Sequence, residues 1–374
     1  MKCGEFNYQI MTLHSTRKQR ISQKLIDRAL AESQKWIQSS AYYDSQQLLQ
    51  ILLQAAIQKT SVEDICQSSH LPSPDTVLAQ LNKSHCSRSR EQIENSVAKL
   101  LQSQVLRHPS FKRRSPPQVF LALDLHDEEY YGKPLRDRNG TLYTMFSHRR
   151  GRMALRYATL SIVEIGQRWT QPLTIGFGLN SKNQKRVDVV RRLLDQINGM
   201  KMKIQVLLMD GGFQDRETFK LLESRNISWI CRGKIRKGKI YPEPVGNSFE
   251  YESAGYPCWG HFFSKRSKKT KRLTFILLLS SKKLTLNCAK EVYRKRFRIE
   301  NNYRAARMMK IRTTSSKIQI RWIMWAFTHF LELIWQILRV VFQIMNWNLY
   351  EIRQKSFLRL LWFRFVELAP PNLM

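Results

Sequence analysis

Two short runs decide the fold: Gln118-Val-Phe-Leu-Ala-Leu-Asp124 and Ile204-Gln-Val-Leu-Leu-Met-Asp210. Each is almost continuously apolar, and each stops on an acid. A run this short, without polar alternation, suits a strand covered on both faces by helices. The acids then stand at the C-terminal edges of neighbouring central strands, where open α/β sheets hold their sites.

Upstream, Ser115-Pro116-Pro117 marks a boundary. Downstream of the first run, Asn139-Gly140 signals a turn before a strand over Thr141 to Ser147. A basic turn at Arg149 to Arg152 leads into a third strand, Met153 to Ile165. A helix over Lys185 to Ile197 ends at Asn198-Gly199 and precedes the second run. A helix from Asp215 to Ser224 and a strand from Ile227 to Arg232 follow it. The order β-β-β-α-β-α-β is that of a ribonuclease H-like mixed sheet, so the fold class expected is α/β.

Four parts are expected around that core. Residues 1–114 form an all-α N-terminal DNA-binding domain; residues 115–232 and 286–345 form the catalytic core. Residues 233–285, with Trp259 and the run Leu273 to Leu279, form a β-rich insertion, and 346–374 form a tail after the C-terminal helices. No internal repeat is visible. Within the first part, residues of about 61–83 look like a helix-turn-helix. Ser61 with Asp64 caps one helix, Leu71-Pro72 lies in the turn, and Ser73-Pro74 starts the second. The same pattern also describes an ordinary helical hairpin.

Composition points to a polyanionic partner. The 374 residues carry 63 Lys+Arg against 29 Asp+Glu, a formal net charge of +34, while the 43% hydrophobic content is that of a globular protein. Nucleic acid is the leading candidate because phosphate contacts release condensed counterions. A lysine-rich proteome or a ribosomal location would give the same balance. Basic runs recur at Arg17 to Arg20, Lys112 to Arg114, Arg232 to Lys239, Lys265 to Arg272 and Tyr293 to Arg298, so several faces would touch a long polymer. The six cysteines show no C-x-x-C pair, which argues against a zinc finger or a disulfide framework. The first twenty residues lack the apolar stretch of a signal peptide. Trp322 to Met345 is long and apolar but carries His329, Glu332 and Arg339, so it reads as a buried helix and not a membrane span. The expected location is the cytoplasm, in association with the nucleoid.

Two neighbouring carboxylates repel unless a cation neutralises them, and hard oxygen donors suit Mg²⁺ or Mn²⁺. Glu300 is the third acid. On a continuous helix, Tyr293, Arg296, Glu300 and Arg307 fall within about 60° of one face at roughly 100° per residue. An acid for metal would then be flanked by bases for phosphate, although an i, i+4 pair with Arg296 or Arg304 also explains the lone Glu.

On these residues the chain resembles the DDE transposases of prokaryotic insertion sequences that carry a Tyr-x2-Arg-x3-Glu-x6-Lys signature. Tyr293, Arg296 and Glu300 match it, and Arg307 stands where Lys is usual. Asp210-Gly211-Gly212-Phe213 is similar to the second-acid motif, and Asp124, followed by Tyr130-Tyr131-Gly132, to the first. The likeness covers residues 118–310, insertion included. It implies a transposase with Asp124, Asp210 and Glu300 as catalytic, metal-binding residues for two Mg²⁺ or Mn²⁺ ions. It implies DNA contacts at Tyr293, Arg296, Arg307 and Trp259, the last stacking on an unpaired base unless it is simply packed. Its partners would be double-stranded transposon ends and target DNA, handled by a homodimer in a synaptic complex.

Asp127 and Glu129, in the acidic stretch His126-Asp127-Glu128-Glu129, compete with Asp124, which is preferred because the strand is expected to end there. His126 and His148 read as structural, the Trp322–Trp335 aromatics as core, and Lys234 to Lys239 as a DNA backbone contact or a solvated loop. Two other functions remain in play: a non-catalytic DNA-binding descendant of a transposase, and a nuclease of the same fold.

Overall fold

The computed structural model describes residues 17–37, 45–68, 72–86, 90–136, 142–147, 152–165, 170–178, 185–235, 248–266, 273–344 and 357–361. The Asn139-Gly140 turn, Leu71, His148, the turn residues 149–151, residues 236–239 and most of the 346–374 tail lie outside them.

Five helices come first: α1 (Arg17–Trp36), α2 (Ser45–Gln58), α3 (Val62–Ser68), α4 (Pro74–Cys86) and α5 (Arg90–Val105). The caps expected of the α3–α4 pair are present. The Asp64 N–H donates to Ser61 Oγ at 3.0 Å and the Ser61 N–H to Asp64 Oδ2 at 3.2 Å, a reciprocal box with Asp in the Glu position. The Thr76 N–H donates to Ser73 Oγ at 3.3 Å.

The core strands are β1 (Gln118–Tyr130), β2 (Thr144–Ser147), β3 (Arg152–Ile165), β4 (Gln171–Phe177), β5 (Lys203–Met209) and β6 (Trp229–Gly233). Helix α6 (Arg186–Ile197) precedes β5 and α7 (Arg216–Ser224) follows it. Strands β7 (Phe249–Ser253), β8 (Tyr256–Arg266) and β9 (Leu273–Ser280) make the β-rich insertion. All nine described strands join one mixed sheet, ordered β2-β3-β1-β5-β6-β9-β8-β7, with β4 also on β3. The insertion therefore prolongs the central sheet, because β9 pairs antiparallel with β6 (Ile230 opposite Ser280).

One expectation fails here. β1 does not end at Asp124 but runs six residues further to Tyr130. The parallel partner β5 is what stops, its last rung being Leu123 opposite Met209. Beyond it β1 pairs only with β3, from Asp124 opposite Thr159 to Tyr130 opposite Met153. The polar residues 126–129 belong to this half-exposed arm, which hides the strand from a search for apolar runs.

A second expectation is corrected at the helix carrying Glu300. It is two helices, α8 (Leu286–Arg294) and α9 (Phe297–Arg307). At the joint the N–H groups of Lys295, Arg296, Arg298 and Ile299 donate to carbonyls three residues back, the tighter 3₁₀ spacing.

The last described long helix, α10 (Ile318–Ile344), is apolar and long enough to cross a membrane, yet 78% of its most apolar window is buried inside the protein. It packs on α1, α4 and α5 from the first part and on α9 and β4 from the core. Its Glu332 is fully buried, accepting from Asn302 Nδ2 at 2.8 Å and Gln336 Nε2 at 3.0 Å.

Candidate active site

Asp124 and Asp210 are brought side by side by the parallel β1–β5 pair. Asp210 leaves β5 directly into a 3₁₀ turn, Gly211–Phe213, whose Phe213 is fully buried and anchors the loop. The Asp210 carbonyl accepts from the Phe213 N–H at 3.0 Å and from Cys231 Sγ at 3.4 Å, so the backbone is tied down while the side chain does no capping. Asp124 is almost completely buried. Burial, helped by the charges of Asp210 and Glu300, outweighs the opposing pull of the Arg296 guanidinium and pushes the Asp124 carboxyl up to about 6.

Arg296 is the centre of the cluster. Its side chain is 6% exposed, with Nη1 3.3 Å from Asp124 Oδ1 and Nη2 3.0 Å from Glu300 Oε1. Burial would lower its pKa, but Tyr293, Asp124, Asp210 and Glu300 together outweigh that and raise it. Its Nε has no hydrogen-bond partner among the described residues. The guanidinium carbon lies 5.7 Å from the centre of the Tyr293 ring and 5.2 Å from that of Phe297.

Glu300 sits in the first turn of α9, and Glu164 of β3 fixes where that turn starts. Lys295 Nζ approaches Glu164 at 2.5 Å and Arg298 Nη1 at 2.6 Å, while Arg298 also donates to the Val163 carbonyl at 2.9 Å. Burial raises the Glu164 carboxyl, but the hydrogen bonds and charges of Lys295 and Arg298 win and hold it below the usual range. Glu164 was absent from the sequence-level candidates; the available signal was an acid at a strand end in an acid-poor chain.

The sequence candidates divide on geometry. Asp124 and Glu300 meet on one guanidinium, and Asp210 is close enough for its charge to act on both Asp124 and Arg296. Tyr293 and Arg296 are buried. The Tyr293 hydroxyl donates to the Met209 carbonyl at 3.3 Å, beside Asp210. Arg307 is exposed and lines a cleft with His126, Asp127, Glu128 and Lys310. Trp259 is half-buried on β8, with Lys283 Nζ 5.2 Å from its ring centre, outside the acid cluster. The competing acids are engaged elsewhere: Asp127 with Arg156 at 2.6 and 2.8 Å, Glu128 with Lys310, and Glu129 with Tyr131 at 2.7 Å.

Among the described residues, no three His, Cys, Asp or Glu side chains stand close enough together to hold an ion as arranged. The donor set nonetheless fits a hard divalent cation. Carboxylate oxygens are the hard donors such an ion takes, and two of the three carboxylates, Asp124 and Glu300, already share one cationic partner in Arg296.

A cleft of about 590 Å³ opens beside Asp210, lined by Gly211, Gly212, Arg232, Lys234 and Phe275.

No curated protein matches the chain in sequence. In fold, the chain is similar to the piggyBac transposase in a synaptic complex with hairpin DNA. That likeness has a TM-score of 0.52 at 13% identity and covers 94% of this chain and 82% of that one. Residues 170–331, which hold Asp210 and Glu300, match the family model described as the transposase DDE domain. With that domain in it, the chain reads as a DNA transposase.

Proposed function

We propose that this DNA transposase acts by metal-dependent phosphodiester hydrolysis and strand transfer at the inverted repeats of its own element, with Asp124, Asp210 and Glu300 as its catalytic carboxylates. The observation that carries the reading is that Arg296 joins Asp124 to Glu300 while the parallel strand pair sets Asp210 beside Asp124, in an otherwise acid-poor, strongly basic chain. The signature residues Tyr293, Arg296 and Glu300 favour the insertion-sequence group with the Tyr-Arg-Glu-Lys motif.

Asp124, Asp210 and Glu300 would hold Mg²⁺ or Mn²⁺, two ions in this reading. Bound there, such ions supply the Lewis acid that activates a water or 3′-hydroxyl and steadies the leaving oxygen. The chain's own residues do the rest. Glu164 fixes the start of α9 and hence Glu300. The Asp210 loop is pinned by Phe213 and β6. Exposed Arg307 and Arg312, which line one cleft, provide phosphate contacts, and Trp259 offers a ring for an unpaired base. The N-terminal helices engage the transposon ends, a homodimer synapses two of them, and the working location is the nucleoid.

The test is cleavage and joining of end-bearing DNA with Mg²⁺ or Mn²⁺, for the wild type and for Asp124→Asn, Asp210→Asn and Glu300→Gln. Each variant is expected to bind the ends and fail to cut. Wild-type cutting by all three would refute the site. End binding by a wild type that never cuts would support the non-catalytic alternative instead.

A further inference from the structure

We infer that Arg296 is an internal counter-cation, which holds the carboxylates together before metal arrives and must give them up when it does. The inference rests on the metal-dependent reading above and assigns Arg296 a role that reading does not contain. It is a positioning residue, acting through Asp124 and Glu300.

Three observations carry it. The guanidinium spans two of the three acids, at 3.3 Å from Asp124 and 3.0 Å from Glu300, so its charge-assisted contacts fall on oxygens a metal would need. It is 6% exposed, which leaves it poorly placed to meet a DNA phosphate. Its Nε is buried without a partner among the described residues, so there the side chain is held by the acids themselves and not by a full set of protein acceptors.

Chain geometry makes release feasible. Arg296 lies at the joint between α8 and α9, where hydrogen bonds have the tighter spacing, and it flanks Phe297, which is 46% exposed. A guanidinium leaving the acids passes beside that ring toward solvent, keeping a cation–π contact on the way. Metal and Arg296 then compete for the same oxygens, and the competition weakens metal binding in the DNA-free protein.

The test is Mn²⁺ binding to the DNA-free, full-length protein, followed by titration calorimetry and by the electron paramagnetic resonance of free Mn²⁺. Arg296→Gln is expected to bind Mn²⁺ about tenfold more tightly than the wild type, the size of one partly buried charge interaction. Arg296→Lys keeps the charge but cannot span both acids, and is expected to fall between the two. In EDTA, Arg296→Gln should melt below the wild type, with Mn²⁺ closing the gap. A purely structural Arg296 predicts the opposite affinity change, because a loosened site binds less well.

Unchanged or weaker Mn²⁺ binding in Arg296→Gln, with Asp124→Asn abolishing binding, overturns this inference and leaves the metal site standing. Absence of Mn²⁺ binding in the wild type and in every variant overturns both. Should Arg296→Gln fail to fold, Arg296→Lys decides alone: tighter binding than the wild type supports the inference, and equal or weaker binding overturns it.

Discussion

Asp124 and Asp210 each stand one residue past the last rung of a parallel strand pair, Leu123 opposite Met209. From that level the two chains diverge, β1 running on straight and the other turning at once through Gly211 and Gly212. The divergence opens the space between the acids, and the turn that makes it has little slack. A Cβ on Gly211 would lie 3.0 Å from the Arg232 carbonyl oxygen, which the β6–β9 pairing holds in place. One on Gly212 would meet only Leu125 Cδ1, at an ordinary 3.6 Å. Gly211→Ala is therefore expected to cost about 1–3 kcal/mol and to depress cleavage, and Gly212→Ala less than about 0.5 kcal/mol. Urea unfolding of the two variants side by side checks this; equal losses would count against it.

Glu164 binds the two cations that bracket the start of α9, so Glu164→Gln should displace Glu300 without touching it. The expected loss is about 1–3 kcal/mol of stability, from weakened charged hydrogen bonds, together with reduced cleavage and undiminished DNA binding. The sign follows from its lowered carboxyl. The stabilisation is present above the unfolded-state pKa and disappears as pH falls through the lowered folded one, so wild type and variant should converge in stability toward acid pH. Thermal melts at acid and neutral pH measure it.

Glu332 behaves in the opposite sense. Burial first, against the hydrogen bonds of Gln336 and Asn302, pushes its carboxyl from 4.5 up to about 8. The folded protein then keeps a proton that the unfolded chain has released, so stability declines as pH rises across that window and levels off above it. Glu332→Gln removes the titration and should flatten the profile, raising the melting temperature above pH 8. The Asn302 Oδ1, buried without a partner, can turn to accept from the new amide. Melting curves at pH 5, 7 and 9 decide; parallel profiles for both proteins would reject the account.

Asp215 closes the loop that begins at Asp210. Its carboxylate accepts from the Thr218 N–H at 2.9 Å and the Thr218 hydroxyl at 2.7 Å, capping α7. Asp215→Ala is expected to cost about 1–2 kcal/mol, and Asp215→Asn, which still caps, much less. Denaturant midpoints compare them.

Legibility from sequence followed burial. The runs before Asp124 and Asp210 could be read because strands covered on both faces have no polar residues to interrupt them. The far half of β1 could not, since His126 to Glu129 line an arm with one neighbour and partial exposure. Strand β4 carries Pro172 and Gly176, which argue against a strand; Pro172 is tolerated opposite Ser161, where the β3–β4 register shifts. At the site, residue types were legible and their arrangement was not. Helical periodicity placed Tyr293, Arg296 and Glu300 on one face, and Arg296 and Glu300 do pair there, but periodicity did not show that Tyr293 and Arg296 are buried. Glu164 acts across 131 residues of chain, a pairing no local pattern contains.

Helix α10 is a wall shared by both ends of the molecule, touching α1, α4 and α5 on one side and α9 and β4 on the other. The N-terminal helices are therefore not a detachable head. Exchanging them between relatives to redirect specificity would disturb the packing of α10, whose Trp322, Phe327 and Phe330 are now fully buried. A graft would have to carry α10 with it, and so import part of the packing behind the catalytic helix. Recognition and chemistry in this chain would evolve as one inheritance.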